Sequence, residues 1–365
     1  MRPAFLINDL QNGGAERLVK DIAIQMGKYD DIDPIVILAN DIGELKPELE
    51  ASDVELISLD VDVSTTSIPS GVRALSALLQ ERDVDLVHSH LSFSHVIGRL
   101  ACARRSVPHV ATYHNVREHK TLAKQLAERA TRPLSKRIVC VSEGVRQSYS
   151  NTKNMEVIYN AIDVETFNER VTEADTTGLE LDLSDDTMIL LNVARCVEQK
   201  RQQDLIEAMD YLAHDDIHLF IVGNGPRRSF LEELVAKKGL DDQVTVTGYV
   251  EAIEPYYAIA DVFVSSSSME GLPTTHIEAM AAELPIVSTN IPGVREIVKE
   301  GTNGFLSAVG EPRMLSSRIE LVIEEGHSFG KHGYDLARSQ FSIDSIAEQH
   351  VKLYREINNR SVTYT

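Results

Sequence analysis

Between residues 4 and 288, apolar runs of three to six residues alternate with segments whose apolar side chains recur at helical spacing. No other property restricts the fold as strongly, because such alternation is the pattern of parallel α/β sheets. In the first half the runs cover residues 4–7, 34–38, 54–59, 86–89, 109–113, 137–141 and 156–159. In the second half they cover 188–193, 218–222, 243–247, 262–264 and 285–288. Runs this short and continuous suit central strands covered on both faces. Residues 170–187 are polar and acidic with little periodicity, which puts a domain boundary there. The expected fold is α/β, with two Rossmann-like domains over 1–170 and 188–342, a linker at 171–187, and parallel sheets facing each other across a cleft. Ligands of open α/β sheets bind at the C-terminal ends of the strands, so chemistry is sought in the loops that follow them.

A length of 365 residues accommodates two such domains, and 43% hydrophobic with 25% charged residues is ordinary globular composition. No stretch approaches the roughly 20 apolar residues of a spanning helix, and the N-terminus turns polar too early for a signal peptide. A cytoplasmic location is expected. Cys102, Cys140 and Cys196 are scattered, which suits neither a disulfide framework nor a zinc site. The net charge of −20 argues against nucleic-acid binding. With 13 Lys against 23 Arg and no Trp, the acidic balance fits a high-salt cytoplasm as well as an acidic mesophilic enzyme.

Three loops carry candidate chemistry. Gly13-Gly14 follows the first run and enters a helix; it fits an anion-approaching loop and a plain tight turn equally. After residues 188–193 come Arg195 and Lys200, two cations in a strand-to-helix loop that could hold a diphosphate. After residues 262–264 come Glu270-Gly271-Leu272-Pro273-Thr274-Thr275 and, inside the following helix, Glu278. The amides of Thr274 and Thr275 at the helix start could meet phosphate oxygens.

In this order the segments resemble the retaining glycosyltransferases of family four, which have the GT-B fold and an E-x7-E motif. The resemblance covers nearly the whole chain. It includes the Gly13-Gly14-Ala15-Glu16 loop, Val87 to His90, Thr112-Tyr113-His114, Val157 to Asp163, Arg195 to Lys200, Ile221 to Pro226 and Glu270 to Glu278. It implies that Arg195 and Lys200 bind the donor diphosphate in place of a metal, so no cofactor is expected. It implies that Glu270 contacts the donor sugar, Glu278 the ribose, and His114 the transferred sugar. Gly223, Asn224, Gly271, Leu272, Pro273, Thr274 and Thr275 join the donor site, and the Gly13-Gly14 loop approaches the phosphates or acceptor. Residues 1–170 become the acceptor domain and 188–342 the donor domain, with residues 343–365 a helix crossing back to the first. The chain departs from the family at Ala161 and Glu283, where relatives usually have Gly.

Other signals are weaker. Three Asp-x-Asp triplets, at 31–33, 60–62 and 83–85, flank strands outside the donor signature. His88 and His90 alternate on one strand; a structural role is favoured over a zinc pair. Residues 99–137 carry ten cations against Glu118 and Glu128. Leu122, Leu126 and Ala130 recur at helical spacing among Lys120, Lys124, Arg129 and Arg132, as in a basic amphipathic helix that docks on anionic lipid. A solvated basic face, or a helix whose leucines are core, fits the same pattern. The reading is a transferase that moves a sugar from a UDP- or GDP-linked donor to a lipid-linked or glycan acceptor, at the inner face of the cell membrane. A nucleotide-sugar epimerase and a non-catalytic binding subunit are the rivals.

Overall fold

The computed structural model describes residues 1–117, 122–179, 184, 186–213 and 216–362. The chain divides into two compact units, Met1–Ala161 with Ile343–Thr365, and Ile162–Ser342.

The first unit holds seven strands: β1 (Pro3–Ile7), β2 (Ile35–Leu38), β3 (Glu55–Ser58), β4 (Leu86–His90), β5 (His109–Tyr113), β6 (Arg137–Cys140) and β7 (Met155–Val157). They pair in parallel in the order β3-β2-β1-β4-β5-β6-β7. Strands β1, β2, β4 and β5 are buried along their whole length, as expected of strands with helices on both faces. The helix Gly14–Met26 turns Leu18, Val19, Ile22, Ala23 and Met26 onto one side of the sheet. The helices Ile68–Glu81 and Ser92–Arg105 cover the other, with Val72, Leu75, Ile97 and Ala101 against Ala4 and Leu6. The long terminal helix Ile343–Val362 belongs to this unit: Ile346, Val351, Tyr354 and Ile357 are in the same core as Phe5 and Ile7.

The second unit repeats the architecture with β8 (Met188–Val193), β9 (Ile217–Val222), β10 (Val244–Gly248), β11 (Val262–Val264), β12 (Ile286–Thr289) and β13 (Gly304–Ser307). Its parallel order is β10-β9-β8-β11-β12-β13. The thirteenth strand was not among the expected runs. It begins at Gly304, where a Cβ would fall 1.9 Å from the Ile286 carbonyl oxygen; the backbone approach that admits the strand demands the glycine that disguises it as a turn.

The division falls after Ala161, ahead of the expected linker at 171–187. The helix Val164–Thr172 accounts for the difference. Its buried Phe167 meets Tyr257 edge-on at 5.4 Å, and Asn168 Nδ2 donates to the Ala281 carbonyl at 2.8 Å, so it packs with the second unit. Glu283 has φ +56°, a left-handed conformation of the kind that favours glycine, the residue the family resemblance leads one to expect there. Among the described residues no helix is long and apolar enough to cross a membrane.

Candidate active site

Each sheet reverses its direction of growth once, between β1 and β4 in the first unit and between β8 and β11 in the second. Loops leaving such neighbouring strands part from each other and open a ligand crevice. In the second unit those two loops hold most of the candidate residues. After β8 the chain passes Arg195, which is exposed, and makes a single 3-10 turn over Glu198–Lys200. Arg201 then adopts φ +50° before the helix Gln202–Met209 begins. After β11 it runs through Ser265 to Pro273 and enters the helix Thr274–Ala281.

The two loops are knitted together. Ser268 N donates to Gln199 O at 2.8 Å, Gln199 Nε2 to Met269 O at 2.5 Å, and Ser266 Oγ to the carbonyls of Lys200 and Arg201. This scaffold sets Lys200 Nζ 2.6 Å from Glu270 Oε1, with 22% and 10% of the two side chains exposed. The pair is therefore mostly withdrawn from water, where a charge-assisted hydrogen bond is strong and a lone charge costly. Behind it, Gly293 packs so closely that a Cβ would lie 2.2 Å from the Gly271 carbonyl oxygen. His276 is buried on the next helix with Nε2 2.8 Å from Ser288 Oγ. Burial, joined by the nearby Lys200 charge, lowers its pKa to about 3, so it is neutral.

Gly223 and Asn224 follow β9 and lie against the same loop. Cys196 N donates to Asn224 O at 3.0 Å, and a Cβ on Gly223 would meet the Ala194 carbonyl oxygen at 2.1 Å. Gly271, Leu272 and Pro273 are buried, whereas Thr274 and Thr275 are partly exposed at the helix start. Glu278, one full turn further in, is buried and accepts a 3.0 Å hydrogen bond from Tyr257 Oη.

In the first unit, Gly13 and Gly14 stand in the loop after β1, at that sheet's reversal. Gly13 caps the helix Gly14–Met26 in extended conformation, and a Cβ on it would meet the Glu16 carboxylate at 2.3 Å. Burial holds the Glu16 carboxyl above its usual range; backbone hydrogen bonds oppose the shift and Asp9 adds to it. Across the reversal, Ser94 Oγ donates to Asn8 Oδ1 at 2.9 Å, and Leu91 sits at φ +68°, a strained conformation for a branched side chain. His114, after β5, is half-buried with Nε2 3.0 Å from Nδ1 of His90.

His90 belongs to a group that sequence reasoning left as structural. The ring of His88 lies 4.5 Å from that of His90 and is held at both nitrogens, Nδ1 2.5 Å from Tyr354 Oη and Nε2 2.6 Å from Thr112 Oγ1. His350 adds a third buried ring 5.3 Å from His88. The available signal was the i, i+2 histidine pair on a buried strand; that Tyr354 and His350 complete it depends on the return of the last helix. Among the described residues no three His, Cys, Asp or Glu side chains are set to hold a metal ion.

The basic patch lies elsewhere in the first unit. Arg117, Arg129, Arg132, Arg137 and Lys153 line an open groove of about 1130 Å³, beside the starts of β6 and β7. Leu126, in the helix Leu122–Thr131, is 58% exposed and so is not core. Leu134 is exposed as well, and the Arg132 guanidinium stacks on Tyr149. Lys120 lies outside the described residues, as does the side chain of Lys124.

Two family models match the chain. The one described as Glycosyltransferase Family 4 covers residues 12–166, and the one described as Glycosyl transferases group 1 covers residues 180–335. The chain is 28% identical over 222 residues to the lipopolysaccharide core biosynthesis glycosyltransferase LpsE of Rhizobium meliloti, spanning 59% of this chain and 63% of LpsE. It is 27% identical over 250 residues to the UDP-Gal:alpha-D-GlcNAc-diphosphoundecaprenol alpha-1,3-galactosyltransferase of Escherichia coli, spanning 64% of this chain and 65% of that one. Both alignments span less than two thirds of the relative's length. Among solved structures, HepE of Anabaena in complex with UDP-glucose superposes with a TM-score of 0.84 at 21% identity, over 98% of this chain and 100% of HepE.

Proposed function

The chain belongs to the glycosyltransferases of group 1 and family 4, with the two Rossmann-like units of the GT-B fold. From that premise we propose that it transfers a sugar from a nucleoside diphosphate sugar, with retention of configuration, to a glycan or lipid-linked acceptor. The observation that carries this reading is the Lys200–Glu270 pair at the sheet reversal of the second unit. Departing diphosphate gathers negative charge. Lys200, Arg195 and the first-turn amides of the helix Thr274–Ala281 are the groups that would stabilise it, without a metal. Glu270, freed from Lys200 as the phosphates arrive, is left to accept from donor-sugar hydroxyls. Glu278, oriented by Tyr257, is assigned to the ribose. Gly223, Asn224 and the Gly271–Pro273 turn bring backbone close to the nucleotide. From the first unit, His114 is assigned to the transferred sugar and the Gly13–Gly14 loop to the phosphates or acceptor. HepE with its UDP-glucose and the galactosyltransferase with its UDP-Gal favour a UDP-linked donor.

The test is turnover of a panel of UDP- and GDP-sugars with and without glycan acceptors. Transfer or donor hydrolysis that survives EDTA supports the reading. Epimerised donor without acceptor would mark an epimerase, binding without turnover a non-catalytic subunit, and loss in EDTA restored by a divalent cation would reverse the metal-free assignment.

A lipid-linked acceptor at an anionic membrane surface is favoured by one further observation, exposed Leu126 and Leu134 among Arg129 and Arg132. Apolar side chains between cations suit an interfacial helix. Reversing Arg129 and Arg132 to Glu, or Lys120 and Lys124, should reduce sedimentation with phosphatidylglycerol vesicles; unchanged sedimentation would leave a solvated basic face.

A further inference from the structure

His90 is fully buried and makes one polar contact among the described residues, from Nδ1 to His114 Nε2 at 3.0 Å. Its ring cannot easily turn, because it packs against His88 at 4.5 Å and Phe5 at 6.2 Å, and His88 is fastened by Tyr354 and Thr112. Burial, with lesser contributions from His88, His114 and His350, holds His90 well below the usual histidine pKa. A neutral imidazole has a single N–H, so the proton sits on Nδ1 or on Nε2. On Nε2 it would be a buried donor with no acceptor among the described residues, whereas on Nδ1 it points at His114 and leaves only a bare lone pair unpaired, the less costly arrangement. His114 Nε2 then accepts, which places the ring proton of His114 on Nδ1.

We propose that His90 is a positioning residue for sugar transfer: through Nδ1 it holds His114 in the tautomer protonated at Nδ1, so that His114 works as a hydrogen-bond donor and not as a base. The inference deepens the proposed function and rests on its assignment of His114 to the transferred sugar. The hydrogen bond supplies orientation from a strand buried in the sheet, with the last helix fixing the ring behind it.

The test separates the two layers. In protein labelled with 15N-histidine, long-range proton–nitrogen correlation at pH 7.5, with the His114 signals assigned from His114→Gln, reads the tautomer without any activity. The expected result is an Nδ1–H tautomer in the native chain and its loss, into a mixture or the Nε2–H form, in His90→Ala. In His90→Asn the amide can replace the Nδ1 donor and should restore the native tautomer, which also covers the case in which the alanine variant does not fold. With a turned-over donor, kcat should fall about tenfold in His90→Ala, the rate equivalent of one ordinary hydrogen bond, with donor KM nearly unchanged and partial rescue by asparagine. A native His114 in the Nε2–H form, or one indifferent to His90→Ala, would overturn the proposal. Absence of turnover with every donor would instead count against the functional reading beneath it.

Discussion

The two sheets reverse in the same way and furnish their reversals in opposite ways. At β8 and β11 the second unit sets out charges, Lys200 on Glu270 with Arg195 exposed on the same loop, and braces the two loops with side-chain hydrogen bonds to main-chain carbonyls. At β1 and β4 the first unit sets out glycines and a strained Leu91, and the β4 histidines His88 and His90 are kept neutral by burial. One reversal gathers paired charges, and beside the other lie neutral, buried rings. The same topology thus supports two chemistries, and the residues that decide between them lie in the loops and on one strand face.

Substitutions test that contrast from its charged side first. Glu270→Ala should lower transfer by about a thousandfold or more while thermal unfolding stays cooperative, because it removes the carboxylate assigned to the reacting sugar. A variant that keeps most of its turnover would take Glu270 out of the mechanism. Lys200→Ala should weaken nucleoside diphosphate binding by about 10- to 100-fold, as expected when one charge-assisted contact to phosphate is lost. Calorimetry with UDP checks this, and unaltered affinity would mean the pair is structural.

Acid should distinguish the neutral side. His88, His90, His109 and His350 in the first unit, and His276 and His218 in the second, all have pKa values pushed below the usual one, chiefly by burial. Below about pH 6.5 the unfolded chain binds protons that these folded rings refuse. Their contribution is therefore complete above that pH and declines as pH falls toward the folded values, by about 1 kcal/mol for each fully buried ring at pH 5.5. Hydrogen exchange between pH 7 and 5 should show protection falling more in the first unit, with four such groups, than in the second, with two. Equal loss would mean that the histidine cluster is less insulated than its geometry implies.

The smallest expected effect is at Glu283. Relief of its left-handed strain in Glu283→Gly, less the entropy gained by the unfolded chain, should raise stability by about 0.5 kcal/mol. A melting temperature that drops would show that the side chain has a partner worth more than the strain.

Most of the second unit's crevice was legible because its residues are contiguous: Arg195 to Lys200 and Glu270 to Glu278 are loop-and-helix segments whose spacing survives folding. Their meeting was not, since the Lys200–Glu270 contact depends on β8 and β11 being neighbours. The helix Val164–Thr172 showed its apolar face in Val164, Phe167 and Val171, but amphipathic spacing tells that a face is buried and not against which unit. Histidines at positions 88 and 90 looked like ordinary strand residues because their partners, Tyr354 and His350, lie more than 250 residues along the chain.

The membership of the helix Ile343–Val362 in the first unit bears on how the protein is made. On the ribosome, residues up to 161 emerge without the helix that covers one side of their sheet and fastens His88. The second unit, continuous in sequence, can close first. The first must wait, partly uncovered, until residues 343–362 have been synthesised after the whole second unit, and a product cut short before Tyr354 would carry the Lys200–Glu270 pair without the histidine geometry.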